Sequence, residues 1–170
     1  MLKIVCAFLL FFPLIFHPSV SINFGAKTGG QDWEILNDGV MGGQSKGVKE
    51  MRKESLYWSG SISLENNGGF SSIKSPYTRW DLSSFSTVRI RYKASGQNIG
   101  LTLETDRQWF APYYKKVLYS KSEDWQTVEI KLTDFQAYQL GRTSGRTMTK
   151  KEMEQVIRIG FLSLVMTPIR

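Results

Sequence analysis

The sequence has 170 residues, a length that suits one ordinary domain and leaves little room for two. Hydrophobic residues make up 41% of the chain and charged residues 22%, which excludes a wholly disordered protein. The net charge is +7, but no run of Lys or Arg exceeds two residues. We therefore interpret the charge as a mildly basic surface and expect no nucleic-acid partner.

The N-terminal segment has the pattern of a secretory signal. Lys3 precedes an apolar run over residues 4–16, and Ser19 and Ser21 supply the small residues that signal peptidases accept. The pattern predicts a signal peptide over residues 1–21 and export to the periplasm or the extracellular space. The apolar run is too short for a comfortable membrane span, so no transmembrane segment is expected after cleavage.

A chain that starts at Ile22 contains neither cysteine nor histidine, because Cys6 and His17 are the only ones. This composition excludes disulfide scaffolds, zinc sites made of Cys or His, and catalysis by Ser-His-Asp or Cys-His groups. Glu104 and Asp106 are candidates for a glycosidase carboxylate pair, but the sequence does not place them at a working separation. We expect a protein that is not an enzyme and that uses no cofactor and no metal.

Alternating apolar residues predict β-strands along the rest of the chain. In chain order the clearest stretches are residues 56–64, 88–92, 99–103 and 128–132, each with one buried and one solvated face. Strands without intervening helices favour an all-β fold, an antiparallel jelly-roll β-sandwich, over a parallel α/β sheet. The sequence predicts one such domain over residues 22–170.

Turns and one short helix complete the predicted elements. The sequences NDG at residues 37–39 and NNGG at residues 66–69 separate apolar runs and are typical of turns. A helix is predicted over about residues 149–156, because Thr149 and Glu152 have the spacing of a capping box.

Two further glycine-containing segments allow more than one interpretation. The sequence NDGVMGGQS at residues 37–45 is either a binding loop that presents its amides and Asn/Asp side chains, or an elaborate turn in which Met41 plugs the end of the sandwich. Its glycine spacing does not match a dinucleotide-binding fingerprint. The sequence GRTSGRT at residues 141–147 lacks the Lys and the spacing of a phosphate-binding loop, and it predicts a mobile basic loop.

The aromatic and basic residues suggest contacts with the core or with a ligand. Trp58 fits a core face, and Trp125 is predicted as a core anchor at the start of a strand. Trp109 lies in a predicted loop, where it either stacks on a sugar ring or plugs the edge of the sandwich. One strand face carries three basic residues, Arg89, Arg91 and Lys93. They either bind carboxylates or anionic sugars, or they form a solvated face.

Five segments together resemble one family. They are residues 33–45, 60–73, 81–85, 124–128 and 157–161. In this order they resemble the complex I intermediate-associated protein 30 family, over nearly all of residues 31–162. The resemblance implies a galactose-binding-like jelly roll and a non-catalytic role, since mitochondrial members are assembly factors for NADH:ubiquinone oxidoreductase. The chain after residue 161 departs from the family pattern, which predicts an exposed sheet edge there.

These observations lead to two functional hypotheses. The first is a non-catalytic binding module that assists assembly of, or docks onto, a respiratory or envelope protein complex. The alternative is a carbohydrate-binding module of the cell envelope. In both, Asp38 and Asn66 contribute to one polar binding surface, or else they only satisfy local backbone amides. The candidate binding residues are Asn37, Asp38, Gly39, Gly42, Gly43, Asn66, Asn67, Gly68, Gly69, Arg91 and Trp109.

Overall fold

A computed structural model describes residues 19–25, 27–120 and 123–165. The apolar run of the predicted signal peptide, residues 4–16, lies outside these ranges, so the signal stays a prediction. The strands are β1 (Glu34–Asn37), β2 (Lys46–Arg52), β3 (Ser55–Ser61), β4 (Phe70–Lys74), β5 (Thr87–Tyr92), β6 (Ile99–Glu104), β7 (Tyr113–Leu118), β8 (Gln126–Lys131), β9 (Gln136–Gln139), β10 (Arg142–Thr147) and β11 (Arg158–Leu164). One α-helix, α1, covers Lys150–Glu154.

The strands form antiparallel sheets, as the alternation predicts. Seven of them make one sheet in the order β1-β4-β11-β6-β7-β9-β10. The strands β2 and β3 pair with each other, and so do β5 and β8. The strand β6 lies at the centre of the seven-stranded sheet, between β11 and β7.

One face of the seven-stranded sheet, which we call the inner face, carries the core. Ile73, Phe161 and Leu101 are register partners on β4, β11 and β6, and register partners point to the same side of a sheet. Val88 and Ile130 of the β5–β8 pair belong to the same hydrophobic cluster as Leu101. The β5–β8 pair therefore forms a second layer over the inner face, which gives a sandwich-like arrangement.

The β2–β3 pair packs near the β1 edge of the same sheet. A Cβ atom added to Gly47 would come 3.0 Å from Asn37 Oδ1 and 3.1 Å from Trp58 Nε1. This close approach brings β2 against β1 and half-buries Trp58, in agreement with the predicted core face. Trp33 packs beside this region, with its ring 5.8 Å from Phe161.

The helix α1 confirms the predicted capping box. The backbone amide of Thr149 donates to Glu152 Oε2 at 2.8 Å, and Thr149 Oγ1 accepts from the amide of Glu152 at 3.4 Å. Arg146 adds an ion pair with Glu152 at 2.6 Å. Burial would raise the pKa of Glu152, but hydrogen bonds from the hydroxyls of Thr149 and Tyr114, from the Thr149 amide and from Arg146 lower it to about 2.

The predicted mobile basic loop at residues 141–147 is wrong. Leu140 and Gly141 both have positive φ, so they turn the chain tightly. The following residues form β10, which pairs with β9 through a register shift between Thr143 and Thr147. A polar, bulged strand of this kind suits a sheet edge, because its exposed face needs no apolar side chains.

The predicted core position of Trp125 is also wrong. Its side chain is 49% exposed, and its ring lies under the guanidinium of Arg91 at 4.6 Å. The physical reason is the period of the strand. Val128 and Ile130 point into the core, so odd-numbered positions on this segment point outward.

The chain after residue 161 does not leave the exposed edge that the sequence predicts. Residues 162–164 continue β11, and Leu162 pairs with Ser72 on one side and Gly100 on the other. This strand lies inside the sheet, and β1 and β10 lie at its edges. Among the helices of the described ranges, none has both the length and the apolar character that a membrane crossing needs.

Candidate binding surfaces

Asp38 joins the two glycine-rich segments. It follows β1, begins a short 3₁₀ turn over Asp38–Met41, and is 0% exposed. Its Oδ1 accepts a hydrogen bond from the amide of Ser45 at 2.9 Å. Its Oδ2 accepts from the hydroxyl of Ser45 and from the amides of Gly69 at 2.6 Å and Phe70 at 3.2 Å. We call these four residues the Asp38 junction.

The Asp38 junction holds an ionised carboxylate. Burial by itself would raise the pKa of Asp38. The hydrogen bonds from Ser45, Gly69 and Phe70 outweigh burial and hold the pKa below its ordinary value. A carboxylate accepts hydrogen bonds only, and every neighbour here is a donor. The charge therefore stabilises the junction of residues 37–45 with residues 63–70.

The glycines of these segments allow the backbone to close around the carboxylate. A Cβ atom on Gly68 would lie 2.7 Å from Asp38 Oδ2, and one on Gly43 would overlap the Asp38 carboxyl carbon. Asn66 and Asn67 have φ values of 54° and 59°, which asparagine tolerates better than most residues. The unusual composition of both segments thus has a structural cause.

The structure distributes the predicted binding residues among different environments. Asp38 is buried and accepts hydrogen bonds from backbone amides. This agrees with the alternative interpretation, in which Asp38 satisfies local amides, and not with a polar binding surface. Asn37 is half-buried, and its Oδ1 accepts from the Ser71 hydroxyl at 2.8 Å. Gly69 is buried, while Gly43 and Gly68 are half-buried. Among the predicted binding residues of these two segments, the exposed ones are Gly39, Gly42, Asn66 and Asn67.

Arg91 and Trp109 lie on other elements. Arg91 is on the outer face of β5, against Trp125. Trp109 is 77% exposed in the loop between β6 and β7, so the predicted loop position is confirmed. A bond from Gln139 Nε2 to the carbonyl of Phe110 at 3.1 Å ties this loop to the end of β9. The predicted stacking of Trp109 on a sugar stays a prediction.

The segment at residues 37–45 presents an apolar tip. Val40 is 72% exposed and Met41 is 60% exposed, so Met41 does not plug the end of the sandwich as the turn interpretation expected. The reason is that the short 3₁₀ turn directs the carboxylate of Asp38 inward and projects the next residues outward. We call Val40 and Met41 the apolar tip.

The second face of the seven-stranded sheet carries polar and aromatic side chains, and we call it the open face. Its members alternate with core residues on β4, β6, β7, β9 and β11. They include Lys74, Gly100, Thr102, Glu104, Tyr113, Lys115, Tyr138, Arg158 and Gly160, and the apolar Val117 and Leu162 lie on the same side. The sequence reasoning identified none of them as a binding residue. Their only signal in the sequence is that they alternate with core residues. This alternation is hard to see at residues 113–116, because Tyr114 and Lys116 on the opposite face are also aromatic and basic.

Ionic and ring contacts order the open face. Lys74 Nζ lies 2.6 Å from Glu104 Oε1, and Arg158 donates to the carbonyl of Ser75 at 2.8 Å. The rings of Tyr113 and Tyr138 stack at 6.0 Å with an interplanar angle of 25°. Burial, together with Tyr138 and Glu104, raises the pKa of Tyr113 to about 12. The Tyr113 phenol is therefore neutral and available as a hydrogen-bond donor.

The candidate carboxylate pair is engaged in local contacts. Glu104 is bound to Lys74, and Asp106 accepts from the amide of Gln108 at 2.8 Å. Within the described part of the chain, no group of three His, Cys, Asp or Glu side chains is arranged to hold a metal ion.

Comparisons with known proteins agree with this architecture. A model of the complex I intermediate-associated protein 30 family matches residues 22–166. The fold is similar to that of a family 11 carbohydrate-binding module from Clostridium thermocellum, solved in complex with a β-1,3-1,4-mixed-linked tetrasaccharide. The TM-score is 0.58 at 15% identity, over 83% of this chain and 84% of that one. No curated protein matches the chain significantly.

Proposed function

Because the chain belongs to the complex I intermediate-associated protein 30 family, we propose that it is a non-catalytic binding module that docks onto a protein complex. The observation that carries this proposal is the apolar tip. Val40 and Met41 expose most of their side chains to solvent, 72% and 60%. When a partner removes exposed apolar groups of this kind from water, the free energy of binding becomes more favourable.

The Asp38 junction supports the same proposal. Its hydrogen bonds join residues 38, 45, 69 and 70, so they fix the base of the loop that carries Val40 and Met41. A loop that is ordered before binding loses less conformational entropy when the partner arrives. The buried carboxylate then acts in binding only indirectly, by positioning the apolar tip.

The proposal includes export and a jelly-roll fold of the galactose-binding-like type. The signal-like residues 1–21 support export, and the described strand order is compatible with a single domain over residues 22–170. Intact-mass analysis of the secreted protein should give a chain that starts at Ile22. A mature protein that retains Met1 would contradict the predicted processing and leave the docking proposal to be tested in the membrane fraction.

Capture from the native membrane fraction tests the docking proposal. The tagged protein should retain one defined complex, and the double variant Val40→Asp, Met41→Asp should lose at least 10-fold of that capture without a change in melting temperature. Leu140→Asp is the matched control, because Leu140 is 63% exposed in the turn before β10. Equal capture by the double variant and the control would overturn the role of the apolar tip.

A second candidate, carbohydrate binding, rests on a different observation. The open face combines the stacked rings of Tyr113 and Tyr138 with hydrogen-bonding side chains, and the exposed Trp109 lies on the loop that leads into β7. Aromatic faces beside polar groups suit sugar rings. Binding to immobilised glycans, with competition by free oligosaccharides, tests this candidate. Tyr138→Ala should abolish such binding and leave protein capture unchanged.

A further inference from the structure

Lys115 lies flat on the open face, with its ammonium group against an aromatic ring. A Cβ atom on Gly100 would come 2.7 Å from Lys115 Cδ, so the glycine makes room for the lysine stem. The Nζ atom lies 3.8 Å from the centroid of the Tyr138 ring. Partial burial lowers the pKa of Lys115. The quadrupole of the Tyr138 ring compensates the positive charge of Lys115 only weakly.

The acidic side chains on this side of the sheet already have partners. Glu104 on β6 pairs with Lys74 at 2.6 Å, and Glu34, on the edge strand β1, lies 3.6 Å from Arg158. Among the ion pairs of the described residues, none involves Lys115. The excess positive charge of the open face therefore falls on Lys115. A half-buried cation without an acid gains free energy when a ligand brings a negative charge.

Thr102 provides a second, independent observation. It is the register partner of Lys115 on β6, it is 3% exposed, and its Oγ1 has no hydrogen-bond partner in the described structure. A Cβ atom on Gly160 would lie 2.9 Å from this oxygen and 3.1 Å from Lys74 Cγ, so only glycine fits beside the hydroxyl and the Lys74 stem. A buried hydroxyl without a partner is unfavourable, and a ligand oxygen is one way to satisfy it.

We propose that the open face binds a carboxylate-bearing sugar chain, a polyuronate, with Lys115 pairing with the sugar carboxylate. This proposal rests on the carbohydrate candidate and adds the class of sugar. The carboxylate draws the ammonium group away from Tyr138, and the freed ring then stacks on the sugar. Movement of the lysine stem also uncovers Thr102 Oγ1 for a sugar oxygen. A neutral sugar brings no negative charge to pair with Lys115. It also competes with the Lys115 ammonium group for the Tyr138 ring.

Calorimetric titration of the purified full chain tests the proposal, with tetragalacturonate and cellotetraose as the two probes. We expect tetragalacturonate to bind at least 10-fold more tightly than cellotetraose, and its affinity to fall with added NaCl. Lys115→Met keeps the stem on Gly100 and should lower the tetragalacturonate affinity at least 10-fold. Lys115→Arg should retain most of it. Lys116→Met is the matched control, since Lys116 is the next residue of β7 and pairs with Asp134 at 3.6 Å.

The other outcomes separate this inference from the carbohydrate candidate. Equal or tighter binding of cellotetraose would overturn the preference for acidic sugars and leave carbohydrate binding in place. Binding of neither probe would overturn both. Equal losses in Lys115→Met and Lys116→Met would show a diffuse effect of surface charge and overturn the assignment to Lys115. The melting temperatures of the variants distinguish any of these results from misfolding.

Discussion

The Asp38 junction and the open face make opposite uses of polar groups. At the junction, one buried carboxylate meets donors from three other residues, and both of its oxygens are satisfied. On the open face, Lys115 meets only a ring, and the hydroxyl of Thr102 has no partner in the described structure. A site whose polar groups are all hydrogen-bonded within the protein stabilises the fold. A buried polar group without such a partner gains one when a ligand binds to it.

The two regions also differ in how visible they are in the sequence. The glycine-rich segments are the most distinctive part of the sequence, and their distinctive residues lie in or around the junction. In the docking proposal they act by positioning Val40 and Met41. The open-face residues carry no motif, because residues that alternate on separate strands come together only when the sheet forms.

The largest effect is expected for Asp38→Asn. Whichever way the amide is oriented, its NH₂ group faces at least one backbone N–H donor, from Ser45 or from Gly69 and Phe70. We expect a loss of about 3 kcal/mol in the free energy of unfolding, measured by urea denaturation. Asn66→Asp is the control, because Asn66 is exposed and should change stability little. A fully stable Asp38→Asn protein that loses its partner would return Asp38 to the binding surface.

The glycines of the first segment give a sharper test. Gly43→Ala should destabilise by about 2 kcal/mol, since the new methyl group overlaps the Asp38 carboxyl carbon. Gly39→Ala, four residues earlier, meets no atom within 4 Å and has no positive φ. It should be neutral or stabilise by about 0.5 kcal/mol. Similar melting temperatures for the two variants would contradict the close packing around the carboxylate.

Acid should weaken the carboxylate contacts in a defined pH window. The pKa of Glu152 is lowered to about 2 from an ordinary value of 4.5, so its contribution is complete above pH 4.5 and is lost as the pH falls through 2. Glu152→Gln should therefore cost about 1 kcal/mol at pH 7 and progressively less as the pH falls through 2. Glu154→Gln, at an exposed position of the same helix, is the control. A cost that does not change with pH would refute the role of the charge.

The smallest effect is expected for Trp125→Ala. The ring is about half exposed and contacts Arg91, so its loss should cost about 1 kcal/mol or less. Trp33→Ala is the reference for a buried aromatic residue, because Trp33 packs between Phe24 and Phe161. Thermal unfolding of the two variants measures the difference. Comparable destabilisation would mean that Trp125 belongs to the core after all.

Much of the fold follows from local sequence patterns. The alternation at residues 88–92 and 128–132 predicts both strands of the β5–β8 pair and their inward faces, and Thr149 with Glu152 predicts the helix start. Residues 99–103 form a strand as predicted, but Thr102 on the expected solvated face is buried. Alternation cannot show this, since the cover comes from long side chains of neighbouring strands.

The candidate site was less predictable for the same reason. The sequence pointed to Asp38 as an unusual residue, but it could not decide whether the carboxylate met solvent or the amides of residues 69 and 70, which lie about 30 positions further along the chain. The spacing of Tyr113 and Lys115 was visible, but their proximity to Tyr138 and Thr102 depends on the register of β6, β7 and β9.

The sequence by itself determined the strands β3, β5, β6 and β8, the turns and the helix cap, because these depend on side-chain period and on contacts within a few residues. Its glycine-rich segments also determined the family. Only the tertiary structure decided that Asp38 is buried and that Lys115 lies on Tyr138. Those outcomes depend on which strands become neighbours and in which register. Pairing between residues that are distant in sequence leaves no periodic trace in the sequence.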